Sequence, residues 1–570
     1  MKKQLVALLL CALLSHESRC QQAFHHSLFI SEIFADPSPA VALPPYEFVE
    51  WYNSGNDSID LFKWKLTDGS TTGIISTHYK LGPKSYVILC SNSALSSYAM
   101  LGPTLALSSF PSLNNDGDTL TILSPTNQTV FSVAYTDDWY LNDYKKAGGW
   151  SLELIDLLRP CSGSVNWKAS TFAIGGTPGK PNSVRGQNET KTAIRIDNAR
   201  AINGRTVVVD FNQTIDSAAF FTIPITIQGY SGSILKRELL PPLFQQARLS
   251  INSDLDSIIV YDLAIEKISN CYGEVGTKQE AKCGMALAPK PGAVLINELL
   301  FDPPPEGADY IECYHAGTNA VNLKELVISQ RSESGIFSNS YPLTERPFFL
   351  YPGERIVFSE KPEWVRSHYP MHDSLHLFKI VQLPSLPDDK GWVALRYQAS
   401  ILIDEFRYHK DMHYGLLNNP EGVALERISV KSPTDKAFNW TSAAASVGFG
   451  TPGLVNSAST IDSTRTEGGV MKLSPEYISP NNDGRNDRLS IQFSLNRPNW
   501  QVTIKLYDIT GRFIRKVVEQ YTLGLKSEIF YNGTDEHNIP LNSGHYVLLA
   551  ELLNTDGETK RVKRMLTVVN

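Results

Sequence analysis

Two long stretches of this chain, 30–183 and 296–457, carry the same short motifs in the same order. The first opens at Ile30 with Ile-Ser-Glu-Ile-Phe-Ala-Asp-Pro, and the second opens at Ile296 with Ile-Asn-Glu-Leu-Leu-Phe-Asp-Pro. Both close on Thr-Pro-Gly-x-x-Asn-Ser. A unit of about 150 residues that occurs twice indicates a duplicated domain, because solenoid repeats have periods of about 20 to 50 residues.

The pattern along the rest of the chain is one of strands and turns. Short segments rich in Val, Ile, Thr and aromatic residues, such as 205–211 and 502–507, alternate with clusters of Gly, Pro, Asn and Asp. At 570 residues the chain is too long for a single core, and its 42% hydrophobic content is that of a folded protein. The pattern predicts an all-β chain of tandem Ig-like β-sandwich domains in series.

The motifs and the shifts in composition divide the chain into six predicted segments. These are a signal peptide (1–20), a first repeated domain (24–186), an Ig-like domain (190–291), a second repeated domain (292–457), a flexible linker rich in Ser, Thr and Gly (458–470), and an Ig-like C-terminal domain (471–570).

The N-terminal segment has the layout of an export signal. Lys2 and Lys3 precede the apolar run 5–14, and cleavage is expected before Gln21. In the alternative interpretation, Cys20 is acylated and the chain is a lipoprotein. Ten apolar residues are too few to span a bilayer, which needs about 20. No later apolar stretch approaches that length, so the mature chain is predicted to have no transmembrane helix.

Export permits disulfides, and this makes the cysteine spacing informative. Cys271 and Cys283 enclose a short polar loop that a bridge would close, so they are the candidate disulfide pair. Cys90 with Cys161 is the alternative pairing. For Cys313, burial as a small apolar side chain is the preferred interpretation.

Charge and motif content exclude several function classes. The formal net charge is -7 and no long basic run occurs, so nucleic acid is not expected as a partner. The sequence has no Gly-x-Ser-x-Gly, no His-Glu-x-x-His, no phosphate-binding loop and no Cys-x-x-Cys. We therefore predict that the chain is not an enzyme.

The repeated unit resembles a known family. The opening Ile-x-Glu-Ile-x-x-Asp-Pro, the segment Glu-Phe-Val-Glu-Trp-Tyr-Asn at 47–53 and the closing Thr-Pro-Gly-x-x-Asn resemble the lamin-tail domain of exported bacterial proteins. The resemblance implies an Ig-like β-sandwich. The second copy departs from the pattern at 321–328, which lacks an equivalent of Trp64. The domain between the copies loosely resembles bacterial Ig-like modules.

The last hundred residues carry four ordered blocks, at 479–487, 504–512, 531–535 and 540–546. They resemble the Ig-like module of flagellar hook-cap proteins and, more closely, the C-terminal sorting domains of gliding-motility and type IX secretion. That resemblance implies passage across an outer membrane with a type IX-like secretion machinery as partner. The implied location is the outer cell surface or the surroundings of a Gram-negative bacterium.

Recurring acids are the candidate metal ligands. Carboxylate oxygens suit Ca²⁺, a hard ion that takes oxygen ligands. In the alternative interpretation these acids accept backbone N–H groups at loop ends. The loop at Gly484 resembles half of a calcium loop, and no other cofactor is predicted. The Ca²⁺ candidates are Glu32, Asp36, Glu47 and Glu50, whose counterparts are Glu298, Asp302, Asp309 and Glu312, together with Asn481, Asp483 and Asp487.

The leading interpretation is a non-catalytic, exported, multi-domain cell-surface or extracellular protein, structural, adhesive or ligand-binding, delivered by its C-terminal domain. Its expected ligand is a surface polysaccharide or a protein. The alternative is an accessory substrate-binding protein for an exported hydrolase or nuclease, because lamin-tail units accompany such enzymes in longer chains.

Overall fold

The computed structural model describes residues 27–188, 190, 192–371, 376–459 and 470–569. The chain divides into two compact units, 1–285 and 286–570. The regular secondary structure of each unit is almost entirely β-strand, and the prediction of an all-β fold of tandem Ig-like sandwiches is confirmed. The predicted signal peptide, with Cys20, and most of the predicted linker lie outside the described residues. Among the described residues, no helix has the length and apolar character needed to cross a membrane.

The first unit begins with the first repeat (27–188), a sandwich of a six-stranded and a four-stranded sheet. The sheet orders are β12-β11-β1-β2-β7-β8 and β10-β9-β4-β5, and β3 pairs with β6. The strands are β1 (Leu28–Phe34), β2 (Phe48–Asn53), β3 (Ile59–Asp60), β4 (Lys65–Thr67), β5 (Thr72–Ile74), β6 (Lys80–Leu81), β7 (Tyr86–Ser91), β8 (Thr104–Leu107), β9 (Gly117–Leu123), β10 (Thr129–Thr136), β11 (Leu152–Leu154) and β12 (Trp167–Ala169).

Both faces of the six-stranded sheet are covered. Its inner face packs Ile30, Trp51 and other apolar residues against the four-stranded sheet. Its outer face carries a second, smaller apolar cluster around Phe48 and Tyr98. Because side chains alternate along a strand, complete burial of β1 requires cover on both sides. Polar residues on the outer face are therefore removed from solvent.

The middle domain (192–285) completes the first unit. Its sheets run β13-β14-β17-β16 and β15-β18-β19 and enclose one apolar core. The strands are β13 (Ile196–Asn203), β14 (Thr206–Phe211), β15 (Ile225–Gln228), β16 (Ile234–Leu240), β17 (Gln246–Ile251), β18 (Tyr261–Ile265) and β19 (Gln279–Cys283).

The second unit begins with the second repeat (286–459), whose two main sheets have the strand order of the first repeat. They run β31-β30-β20-β21-β26-β27 and β29-β28-β23-β24, and β22 pairs with β25. The strands are β20 (Val294–Leu300), β21 (Tyr310–His315), β22 (Val321–Asn322), β23 (Leu326–Arg331), β24 (Phe337–Pro342), β25 (Phe349–Leu350), β26 (Arg355–Ser359), β27 (Leu377–Lys379), β28 (Lys390–Tyr397), β29 (Ile401–His409), β30 (Leu425–Arg427) and β31 (Trp440–Ser442).

The register also matches between the repeats. In each, the first strand shifts register by one residue, at Ser31 in β1 and at Asn297 in β20. Ile30 pairs with Trp51, and Ile296 pairs with Cys313. Cys313 is fully buried, so a small apolar side chain fills the place that the larger ring fills in the first repeat.

The C-terminal domain (470–569) is a sandwich of two sheets, β32-β34-β37 and β33-β39-β38-β35-β36, around a core that includes Trp500. It packs on the second repeat. Tyr521 donates its hydroxyl to the carbonyl of Ala445 (3.0 Å), and Leu525 donates its N–H to the carbonyl of Ser457 (2.9 Å). The strands are β32 (Met471–Ser474), β33 (Tyr477–Ile478), β34 (Leu489–Ser494), β35 (Trp500–Asp508), β36 (Phe513–Leu523), β37 (Lys526–Tyr531), β38 (Gly544–Asn554) and β39 (Thr559–Val568).

Helices are short throughout the described residues. The longest has Pro362 at its first turn, where the missing N–H of proline needs no partner. The α-helices are α1 (Leu95–Tyr98), α2 (Asp143–Lys146), α3 (Ser217–Phe220) and α4 (Pro362–His368), and the 3-10 helices are Asp137–Tyr140, Gly163–Asn166, Leu323–Glu325, Lys410–Met412, Ala437–Asn439 and Ala445–Val447.

The disulfide differs from the predicted one. Cys271 bonds to Cys161, with the two Cα atoms 6.5 Å apart, and Cys283 is a free, buried thiol. The predicted pair Cys271–Cys283 is therefore wrong, and so is the alternative of Cys90 with Cys161. Cys283 ends β19 and points into the core of the middle domain, whereas Cys271 faces the first repeat. The bridge thus joins two domains instead of closing a loop.

Candidate functional site

Three glutamates of the first repeat stand side by side on neighbouring strands. Glu32 of β1 lies directly opposite Glu153 of β11 on one side and Glu50 of β2 on the other. All three are fully buried, and they share the outer face of the sheet with Phe48. Like charges directly opposite each other destabilise a sheet, so this row requires hydrogen-bond donors, protons or both.

The closing motif of the repeat supplies donors. Thr177 donates its N–H to Oε1 of Glu32 (2.8 Å) and its hydroxyl to Oε1 of Glu153 (2.9 Å). Gly179 donates its N–H to Oε2 of Glu50 (2.6 Å). The sequence Thr-Pro-Gly therefore presents two main-chain donors and one hydroxyl to three adjacent strands.

The last residues of the motif complete the arrangement. Ser183 donates its hydroxyl to Oε2 of Glu153 (2.8 Å). Asn182 donates its amide to the carbonyls of Ser31 (2.8 Å) and Leu154 (2.9 Å). The motif is thereby fastened to β1, β2 and β11 at once. We call Glu32, Glu50, Glu153 and the segment 177–183 together the first carboxyl clasp.

The second repeat has the same arrangement. Glu298 lies opposite Glu426 and Glu312, and all three are fully buried. Thr451 donates its N–H to Oε1 of Glu298 (2.8 Å) and its hydroxyl to Oε1 of Glu426 (2.7 Å). Gly453 donates its N–H to Oε2 of Glu312 (2.6 Å). The second carboxyl clasp consists of Glu298, Glu312, Glu426 and the segment 451–457.

The hydroxyl donor beside the central glutamate differs between the clasps. The hydroxyl of Ser151, next to β11, bonds Oε1 of Glu32 at 2.5 Å. In the second clasp the hydroxyl of Tyr310, on β21, bonds Oε1 of Glu298 at 2.5 Å. Each central glutamate thus receives a hydroxyl donor, but from different strands.

Burial raises the pKa of Glu32 and Glu50 in the first clasp and of Glu298, Glu312 and Glu426 in the second, and repulsion by neighbouring glutamates adds to it for Glu32, Glu50 and Glu298. Burial, followed by the negative charge of Glu153, raises the pKa of Glu32 to about 8. Burial and the charge of Glu32 also raise the pKa of Glu50. In the second clasp burial raises the pKa of Glu312 to about 7, where a side-chain hydrogen bond and the charge of Arg355 oppose it. The stability of each clasp therefore depends on the protonation state of its buried glutamates.

The predicted calcium ligands of the first repeat divide into two pairs. Glu32 and Glu50 come together, but their oxygens accept protein donors. Asp36 instead accepts the N–H of Ser38 (3.1 Å), and Glu47 is half-buried with a pKa that burial raises. Across the described ranges, no group of three or more His, Cys, Asp or Glu side chains is arranged to hold a metal ion.

The second predicted calcium loop also satisfies its acids internally. Asp487 accepts the N–H groups of Asn482 (2.7 Å) and Gly484 (2.8 Å). Asp483 accepts the N–H of Arg485 (2.8 Å), and the side-chain oxygen of Asn481 accepts the N–H of Asp483 (3.1 Å). These bonds define a tight surface turn.

Sequence reasoning missed the third glutamate of each clasp. Glu153 and Glu426 each follow a leucine and each precede an Asn-Trp pair by thirteen residues. That shared spacing is the signal that identifies them once the two copies are aligned.

A cleft of about 1140 Å³ opens in the first unit between the first repeat and the middle domain. The rings of Tyr52 and Tyr86 line it, with centroids 4.7 Å apart. The middle domain contributes Tyr272, the residue after the disulfide. Arg185 and Lys84, both exposed, supply positive charge. Asp156 and Asp216 also line the cleft, and Tyr52 is only 4% exposed, so the cleft presents groups of both charges and little of the Tyr52 ring.

Residues 21–137 match the family model described as Lamin Tail Domain. The match ends before Glu153 and the closing motif of the first repeat. None of the curated proteins matches the chain.

The solved structures that resemble the chain do so only distantly. The N-terminal part of the bacterial S-layer protein SbsC is 15% identical with a TM-score of 0.15, over 29% of this chain and 45% of that one. Dimeric latent PorU from Porphyromonas gingivalis is 11% identical with a TM-score of 0.15, over 69% and 36%. The glucan-utilisation protein SGBP-B of Bacteroides ovatus, solved with a mixed-linkage heptasaccharide, is 11% identical with a TM-score of 0.14, over 66% and 71%.

The chain spans 45% and 36% of the lengths of the first two of these structures, less than two thirds of each. At such low TM-scores the likeness carries no argument about this chain.

Proposed function

We propose that this chain is an exported, non-catalytic, multi-domain protein of the cell surface or extracellular space, delivered through its C-terminal domain. The observation that carries the proposal is the bridge between Cys161 and Cys271. Disulfides form and persist in oxidising compartments and are rare in the cytosol. A bridge that joins two domains fits a chain that folds after export, and the Lys-Lys-initiated apolar segment at its start supports the same route.

The fate of the recurring acids supports a non-catalytic role. General acid–base catalysis requires a group within hydrogen-bond reach of a substrate proton. Glu32, Glu50 and Glu153 are fully buried and bonded to the closing motif, as are their counterparts in the second repeat. Their arrangement holds three interior strands of the sheet and the closing segment of the repeat together.

The four sequence blocks of the C-terminal domain support its role in sorting. The turn at Gly511 has a positive φ of 89°, which favours glycine, and Asp508 accepts the N–H groups of Thr510 and Arg512. These blocks thus build turns at the surface of the domain, where a secretion machinery has access to them.

The decisive experiment compares the full chain with a chain that ends at residue 459, both expressed with the signal segment in a type IX-secreting host. We expect the full chain at the surface or in the medium and the shortened chain in the periplasm. In the matched control, the double variant Y521F/T522V removes two hydrogen bonds from the C-terminal domain to the second repeat but keeps the domain.

The control separates sorting from mere loss of packing. If the Y521F/T522V chain is exported normally while the shortened chain is retained, the C-terminal domain carries the sorting information. Normal surface delivery of the shortened chain would exclude that role. Fusion of residues 458–570 to an exported reporter tests sufficiency, with fusion of 190–291 as the control domain.

A further inference from the structure

One end of the second repeat is covered by the C-terminal domain. Thr441 donates its hydroxyl to the side-chain oxygen of Asn499 (2.5 Å), and Ala445 donates its N–H to the hydroxyl of Thr522 (2.7 Å). Tyr414 lies at the same contact and is 5% exposed. This end of the repeat is therefore able to hold the end of another β-sandwich.

The matching end of the first repeat is uncovered. Residues 136–172 align with 409–445 without a gap, and the pairing of the last two strands of each repeat agrees with this alignment. Leu141 takes the position of Tyr414 and is 74% exposed. Tyr144 is 75% exposed, and Phe172, at the position of Ala445, is 41% exposed.

These side chains belong to one surface, the end face of the first repeat, which consists of the segments 137–146 and 168–173. Lys145 donates to the carbonyl of Ser170 and thereby joins the two segments. Leu141 has a φ of 51°, in the left-handed region that bulky residues rarely adopt. Clustered exposed apolar side chains mark the contact surfaces of soluble proteins, so the end face is an interaction surface.

The C-terminal domain of another copy does not fit this end face. Lys168 stands where the second repeat has Thr441. The N–H of Phe172 donates to the hydroxyl of Ser170 (3.2 Å), so it is not available to Thr522. In each copy, moreover, the docking surface of the C-terminal domain is already occupied by the second repeat.

The charges of the end face are balanced, although the chain as a whole has a formal net charge of -7. Lys146 pairs with Asp137 (2.9 Å) and Asp138 (3.4 Å). Within the described ranges, Lys168 and Asp143 take part in no ion pair. A surface that packs on its own copy about a two-fold axis needs both signs of charge. The end face has three acids and three bases, namely Asp137, Asp138 and Asp143 with Lys145, Lys146 and Lys168.

We propose that the end faces of two copies of this chain pack on each other and form a two-fold dimer. Leu141, Tyr144 and Phe172 form its apolar centre, and Lys168 of each copy pairs with Asp143 of the partner subunit. The inference goes beyond the proposed function, because the dimer needs no secretion machinery and does not depend on the route of export.

The test is sedimentation velocity of the chain 21–570 at concentrations from about 1 to 100 µM, the range in which small interfaces dissociate. We expect the sedimentation coefficient to rise with concentration to that of a dimer. L141N should weaken the dimer about tenfold, as for the anchors of other interfaces. Because asparagine adopts the left-handed region readily, L141N should not lower the melting temperature. The matched control is L158N, at an equally exposed leucine (79%) outside the end face, which should dimerise like the parent.

A charge exchange tests the pairing across the two-fold axis. K168D and D143K should each weaken the dimer, and K168D/D143K should restore it, because each copy then offers the exchanged charges to the other. Carbodiimide cross-linking of mixed isotope-labelled and unlabelled chains should link Lys168 to Asp143 of the partner subunit.

Three results would overturn the inference. The first is a monomer at every concentration, and the second is a dimer that L141N leaves unchanged or that the double exchange does not restore. The third is cross-links between chains that join Lys168 to the segment 498–527, which would identify the C-terminal domain as the occupant of the end face.

Discussion

The two repeats solve one problem with different residues. In the first, Ser151 gives its hydroxyl to the central glutamate, and the position of Tyr310 is occupied by Phe48. In the second, Tyr310 gives the hydroxyl, and the position of Ser151 is occupied by Ala424. The row of acids and the closing motif are the same in both, while the additional donor has moved from one neighbouring strand to the other.

This difference shows which property is constrained. A buried carboxyl must have its hydrogen-bonding capacity filled, because an unfilled one costs about 1–3 kcal/mol or more. The strand that provides the donor is free to vary as long as its side chain reaches the same oxygen. Glu32 and Glu298 hold the same register in the two repeats, whereas the residue that donates the additional hydroxyl differs.

The units also differ in how the repeat holds its neighbour. Cys161 of the first repeat bonds the middle domain, whereas the equivalent position of the second repeat is Thr434, which bonds Asp404 within its own domain. The second repeat instead contacts the C-terminal domain through hydrogen bonds such as that from Ala445 to Thr522 (2.7 Å).

The largest expected effect is that of pH. The pKa of Glu32 is about 8 in the folded chain against an ordinary value of 4.5, so folding takes up a proton. The stabilisation that this proton provides is complete below pH 4.5 and is lost as the pH rises towards 8. The free energy of unfolding falls by about 1.4 kcal/mol per pH unit for each such proton. Denaturant titrations from pH 5 to 9 should show this decline, and E32Q should flatten it.

The repeats should differ in this decline. Arg355 lies 3.9 Å from Glu312 in the second clasp, whereas the same position of the first repeat is Tyr86. We expect the second unit to lose less stability between pH 7 and 9. If the free energy of unfolding falls with pH at the same slope in both units, or if E32Q leaves the slope unchanged, the decline does not originate in the clasp glutamates.

The next effect is that of the disulfide. On the chain-entropy model, a bridge across 110 residues stabilises by about 4–5 kcal/mol. Reduction, or the double variant C161S/C271S, should lower the calorimetric transition of the first unit alone, because the only cysteine described in the second unit, Cys313, is a free thiol. A shift of both transitions would refute the assignment.

A smaller effect separates the two Thr-Pro-Gly turns. Gly179 and Gly453 have φ values of 78° and 77°, so alanine is strained at both by about 1–2 kcal/mol. A Cβ at residue 179 would meet the Cα of Gly102 at 2.7 Å, whereas one at residue 453 would meet only the methyl of Met371 at 3.6 Å. G179A should therefore cost about 1–3 kcal/mol more than G453A. Urea denaturation measures both, and equal losses would argue against the close approach.

The smallest expected effect tests the exchanged donor. S151A should destabilise the first unit by about 1–3 kcal/mol, and F48Y added to it should restore part of that loss by supplying the hydroxyl from β2. A424S with Y310F is the reciprocal pair in the second unit. Purely additive losses in both double variants would show that the donor positions are not interchangeable.

Repeated motifs allowed parts of the fold and of the clasps to be predicted from the sequence. Contacts between segments that are distant in the sequence could not be predicted. The motifs shared by the two copies singled out Glu32 and Glu50 as recurring acids, although as calcium ligands. The strand pattern predicted the fold. The position of Glu153 opposite Glu32 depends on the register of β11 against β1. The local sequence around Glu153 does not determine that register. The partner of Cys271 depends on the packing of two domains, so spacing within one domain led to Cys283 instead.

The clasps also set an order of events for a chain that crosses a membrane unfolded. Thr177 lies 145 residues after the glutamate that it holds, and Thr451 lies 153 residues after its own. Until that last segment emerges, the acids remain hydrated and ionised, and the sheet lacks its final fastening. We expect each repeat to stay open during translocation and to become resistant to proteases only when its final residues arrive, so that a fragment such as 21–137 stays protease-sensitive.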